Sequence, residues 1–241
     1  MEIIGYSERG AMNALFYGMA SNAKGDDDSQ MREFLRLAGI DDPKSFSDFE
    51  IYPEFSLSEF GSPDLVIIAQ KEESKVVFFI EAKASCGLTY KIDEQKNKHE
   101  EYISHEKWKN GHASNLFFQL RLKHFFFEQR ENILNSGAKT INESDKIEKT
   151  KDHFRGIGKN SIVRKFAEKI RKCSKAYYIA IIPQCNENEI KLPEGYPETL
   201  NVNFVSWEDI YQSGLGNLLK GTFDFNQNEN VSQILNNPIK Q

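Results

Sequence analysis

Apolar residues recur along this chain in two rhythms. Ala11, Ala14, Leu15 and Met19 fall near the spacing of one helical face, which predicts a helix from a Ser7 cap to about Ala20. Met31, Phe34, Leu35 and Ala38 repeat the pattern behind Ser29, and Gly39 is a good stop signal. The rhythm then shortens. "SFSDFEIYPEF" (45–55) alternates around Phe49 and Ile51 and predicts a strand ended by Pro53. Residues 64–70 and 75–83 are rich in Val, Ile and Phe with apolar positions on both faces, the pattern of central strands covered on each side.

Further on, "NLFFQLRLKHFFFEQRENIL" is apolar over much of its circumference, so it reads as a buried helix capped by Ser114 and ended by Gly137. "SIVRKFAEKIRK" is a short amphipathic helix, "KAYYIAIIP" a buried strand, and "NVNFVSWEDIYQ" a strand leading into a helix near Trp207. The Asn- and Gln-rich remainder reads as weakly ordered. This order predicts an α/β fold: a mixed central sheet flanked by helices on both faces.

The length of 241 residues fits one domain (1–241), with a core over about 7–182, a polar insertion at 84–112 and a basic segment at 139–175. A strand and helix at 200–220 form a C-terminal accessory. No apolar run approaches the ~20 residues needed to cross a bilayer. Met1–Ala20 lacks the basic start and long apolar region of a secretory signal. Three cysteines, widely separated, form no disulfide framework, so a cytoplasmic location away from membranes is expected. Net charge is −5, but residues 139–175 hold 12 Lys and Arg against 5 Asp and Glu. That segment is either a phosphate-facing patch or a solvated loop and helix.

"PDLVIIAQKEESKVVFFIEAK" (63–83) places charge among buried aliphatic residues. Paired as a hairpin about the "KEES" turn, residue i lies opposite residue 145 − i, so Asp64 faces Glu81. Opposed residues share a face with Cβ atoms ~4.5–5.5 Å apart, and Lys83 returns to that face two residues later. Unit charges about 4 Å apart repel by roughly 4 kcal/mol at an effective dielectric near 20. Either one acid takes up a proton or a cation sits between them. Paired oxygen ligands suit Mg²⁺, or Mn²⁺ in its place. Alternatively the three charges form a simple salt-bridge cluster at the strand ends.

"SPDLVIIA" followed by "FFIEAKAS" resembles the PD-(D/E)XK nuclease superfamily, and the order helix–three strands–helix–strand extends the resemblance over about 7–182. The resemblance implies a restriction-endonuclease-like core and Mg²⁺-dependent hydrolysis of DNA phosphodiesters. By position, Asp64 and Glu81 would be metal ligands and Lys83 the catalytic lysine. Glu8, on the first helix, matches a glutamate that joins the metal site in many members. Gln119 matches a helix glutamine of the exonuclease-like branches, although the tyrosine of that pattern is absent and Lys123 and His124 follow instead. A buried, hydrogen-bonded glutamine is the plainer reading of Gln119.

The expected activity is that of an endonuclease of restriction or defence type, with an exonuclease or repair nuclease, or an inactive nucleic-acid-binding relative, as alternatives. DNA is the expected partner, and a homodimer would suit a double-strand cut. Arg155, Lys159, Arg164 and Lys165 are the candidate backbone contacts. His99, His105 and His112 read as surface residues.

Overall fold

In the computed structural model the described residues are 8–22, 27–57, 60–84, 91–104, 115–135, 161–184 and 190–228. Ser7, His105, His112, Ser114, Gly137, Arg155 and Lys159 lie outside them, as does most of the basic segment. Two helices, α1 (Glu8–Asn22) and α2 (Ser29–Leu37), lead into strand β1 (Phe46–Pro53). Gly39 takes φ +67° directly after α2, and the Ile40 amide donates to the Leu35 carbonyl, so the helix stops where only glycine closes the turn cheaply. Strands β2 (Leu65–Lys71) and β3 (Ser74–Ala82) form the expected antiparallel hairpin. Its ladder closes at Lys71 and Ser74, and Glu72 supplies the positive φ that a two-residue connection needs.

Helices α3 (Ile92–Ser104), α4 (Leu116–Glu128), α5 (Arg130–Asn135) and α6 (Ser161–Ile170) follow, then strand β4 (Cys173–Ile182). The chain goes on through β5 (Val202–Ser206), α7 (Trp207–Gln212) and α8 (Gly216–Asn228). The five strands run in spatial order β1-β2-β3-β4-β5, with antiparallel pairing through β3 and parallel pairing from β3 to β5. The fold is therefore α/β with a mixed, open sheet.

Alternation along the strands splits the interior into two cores. Leu65, Ile67, Phe78 and Ile80 pack under α1, α2, α7 and α8. Val66, Ile68, Val77 and Phe79 pack under α4, α5 and α6, together with Ile92 of α3. Each large side chain buried in this way contributes about 1.5–3 kcal/mol, which is why the double-sided apolar runs were the strongest strand signals.

Three expectations change. The long helix is capped by Asn115, whose Oδ1 accepts from the Phe118 amide at 2.8 Å, and it breaks at Gln129 into α4 and α5. The strand and helix set apart as an accessory are continuous with the core: β5 is the sheet's edge strand, and α8 packs on α1. Most of α8 falls in the tail expected to be weakly ordered. Its Leu219 and Phe223 are buried in the shared core, so tertiary burial outweighs a sequence with glycine in its middle.

Candidate active site

The hairpin register fixes the site. Leu65 pairs with Ile80, so one step further out Asp64 stands opposite Glu81, on the face that carries Val66 and Phe79. Ala82, between Glu81 and Lys83, points to the opposite face and is fully buried there. Pro63 falls opposite Ala82 in the same register and has no N–H, so it cannot donate to the ladder. The strand's last amide, for its part, meets a side chain and not a backbone carbonyl: Asp64 Oδ2 accepts from the Ala82 N–H at 2.7 Å. "Pro-Asp" is thus a strand start in which the acid replaces a backbone partner and is held rigidly at the sheet end.

Lys83 continues the β3–β4 ladder, its amide donating to the Ile181 carbonyl at 2.8 Å. Its own carbonyl accepts from Trp207 Nε1 at 2.9 Å, so the first residue of α7 fixes the lysine's backbone. Lys83 Nζ lies 3.7 Å from Glu8 Oε1, and Glu8 Oε2 accepts from the Ala84 amide at 2.9 Å. Glu8, in the first turn of α1, therefore reaches the site from the other layer. Burial lifts its carboxyl above the usual range; Lys83 and the Ala84 amide oppose this, while neighbouring Asp64 adds to it.

Glu81 is the buried member of the set, 2 % exposed. Burial pushes its carboxyl up to about 7; Lys123 and Lys83 pull it down, and Asp64 raises it further. Lys123 Nζ of α4 sits 2.7 Å from Glu81 Oε1, with a side chain closed off from solvent. The pair is close but off the hydrogen-bonding angle, leaving that buried oxygen without a hydrogen bond among the described residues. Lys123 instead donates to Gln119 Oε1 at 2.6 Å. Gln119 is hydrogen-bonded on its helix and half-buried. Burial also lowers the Lys123 ammonium from its usual value, against the pull of Glu81 and Asp64.

Lys123 is the site residue that sequence reasoning missed. The available signal was a lysine one helical turn after a glutamine, inside a run otherwise made of Leu and Phe. Gly61 completes its surroundings. At φ +77°, a Cβ there would come within 2.4 Å of Gln119 Oε1 and 2.9 Å of Lys123 Nζ. Only glycine allows the segment before Pro63 to close over the pair.

His99 was expected at the surface and is 0 % exposed. It packs edge-on against Tyr196, and burial, with a smaller contribution from Arg121, holds its pKa down at about 4. The polar look of 84–112 concealed this, because one turn of α3 faces inward. Of the backbone-contact candidates, Arg164 donates to the Ile133 and Leu134 carbonyls at 3.0 and 3.1 Å, fastening α6 to α5. Lys165 is exposed.

The donor chemistry here is hard oxygen, the type that Mg²⁺ takes. Among the described residues, no group of three or more His, Cys, Asp or Glu side chains is close enough together to hold a metal ion. Mg²⁺ is commonly held by one or two carboxylates, with waters and substrate phosphate completing its shell. Asp64 and Glu81, opposite one another across the hairpin, are compatible with that mode, with Lys123 Nζ already 2.7 Å from Glu81 Oε1. No helix among the described residues is long and apolar enough to cross a membrane.

The fold and site together define an α/β chain with three acids and two lysines gathered at one end of its central hairpin. Comparisons with protein-family models, curated proteins and solved structures return no match for it.

Proposed function

We propose that the chain is a divalent-metal-dependent deoxyribonuclease of the PD-(D/E)XK type, with a restriction-endonuclease-like core, acting as an endonuclease in restriction or defence. One observation carries the reading: Asp64, Glu81 and Lys83, 19 residues apart along the sequence from first to last, converge at one sheet end in the register that the motif requires. The element order α1, β1–β3, α4, β4 supports it as well.

In this reading Asp64 and Glu81 would hold Mg²⁺, which supplies Lewis-acid stabilisation of charge on the phosphate. Asp64 is kept in place by the Ala82 amide. Glu81 must be ionised to serve, and loss of its proton is favoured above about pH 7. Lys83, steadied by Glu8 and by the Trp207 bond to its carbonyl, orients the attacking water and balances the phosphate's charge. Arg155, Lys159 and Lys165 are retained as backbone contacts; Arg164 is engaged within the fold.

Incubating the protein with supercoiled and linear DNA, with and without Mg²⁺, tests the proposal. Nicked or linearised circles that appear only with Mg²⁺ are expected, and loss from linear ends alone would indicate an exonuclease. A second reading, a structural ion-pair cluster, is favoured by the Glu81–Lys123 and Glu8–Lys83 pairs. It predicts no cleavage and no effect of Mg²⁺ on melting.

A further inference from the structure

A lysine sealed behind a carboxylate is a costly way to fill a core, since both charges lose their hydration to make one pair. Lys123 is nevertheless held from three directions: by Glu81 on β3, by Gln119 on its own helix, and by Gly61, whose bare backbone admits the pair. Its charge is also felt by Asp64 and Lys83.

Five ionisable side chains meet at the sheet end. Glu8, Asp64 and Glu81 against Lys83 and Lys123 leave one negative charge. A proton passing between Glu81 and Lys123 does not change that sum. A divalent ion would turn it into one positive charge, which a phosphodiester group neutralises. Without Lys123 the ion alone would bring the sum to zero, and no phosphate would be needed for balance.

We propose that Lys123 is a built-in counter-cation that weakens divalent-ion binding in the free protein, so that the ion is retained firmly only when a phosphate group joins it. This rests on the metal-site reading above and adds to it that ion loading is coupled to substrate. Lys123 is a positioning residue in this scheme: it acts through Glu81 and does not touch the phosphate.

The test is Mn²⁺ binding, without DNA, to the full chain and to Lys123→Met and Lys123→Gln, by calorimetric titration and by the melting shift in MnCl₂. Methionine keeps the length and glutamine keeps a hydrogen-bonding end group, so whichever variant folds is scored. The expected result is Mn²⁺ affinity at least ~10-fold tighter than in the unmodified chain, because a like charge beside the ion is gone. The Mn²⁺-induced rise in melting temperature should be larger in the variant. A folded variant with equal or weaker Mn²⁺ affinity overturns the proposal while leaving the metal site standing. Failure of both variants to fold, even with Mn²⁺, also overturns it, since Lys123 would then be a structural anchor. No Mn²⁺ binding by any of the three proteins removes the metal-site reading and this inference with it.

Discussion

Two glutamates on one face of the same sheet have opposite fates. Glu50, on edge strand β1, accepts a hydrogen bond from Tyr52 at 2.7 Å and pairs with Lys169 at 2.6 Å and Lys75 at 3.1 Å. These partners pull its carboxyl down to about 2, the Lys169 bond contributing most. Glu81, on central strand β3, has one close lysine and an acid opposite, and burial pushes it up to about 7. Position in the sheet makes the difference. The edge admits water and several flexible cations, whereas the centre admits one fixed cation and keeps water out. Glu50 is a satisfied structural ion pair. Glu81 loses its proton only at a cost, and an acid perturbed in that way is a functional-site candidate.

The largest expected effect falls on the Glu81 side. Asp64→Ala and Lys83→Ala should each lower Mg²⁺-dependent nicking by at least ~10²-fold. Glu50→Gln should leave nicking unchanged; equal losses at Glu50 and Lys83 would erase the distinction. Asp64→Ala also frees the Ala82 amide, and should cost about 1–3 kcal/mol in urea unfolding.

Next comes pH. Glu81 binds its proton more tightly folded than unfolded, so its contribution is fully present below about pH 4.5 and is lost as pH rises through about 7. Glu50 does the reverse: its contribution is present above about 4.5 and lost as pH falls towards about 2. Unfolding of Glu81→Gln and Glu50→Gln followed across these windows should remove two slopes of opposite sign. His99 adds to the acid side, because its lowered pKa makes folding lose stability as pH falls from about 6.5 towards about 4. His99→Gln should flatten that limb.

The smallest effect is salt. Raising NaCl to ~0.5 M should weaken the partly exposed Glu50 cluster by less than about 1 kcal/mol. The enclosed Glu81–Lys123 pair should barely respond, as a Lys75→Met and Lys123→Met comparison at two salt concentrations would show.

Much of this was legible in the linear sequence for local reasons. The hairpin register followed from a short turn and a period of two, which together fix what lies opposite Asp64. Gly39 marked its helix end because few other residues tolerate a positive φ. Lys123 was not legible, because nothing in a Leu- and Phe-rich helix says which neighbour a lone lysine will meet across the sheet. Nor was α8, whose helical state depends on a groove against α1 that exists only once the sheet has formed. His99 shows the converse: a polar neighbourhood in sequence can still turn one ring inward.

The indole–carbonyl bond between Trp207 and Lys83 joins the last third of the chain to the lysine on which the proposed chemistry depends. Cutting the chain before β5 would therefore do more than expose an edge of β4. It would release the backbone that aims that ammonium, so a shortened protein could keep its hairpin and both acids and still lose its aim.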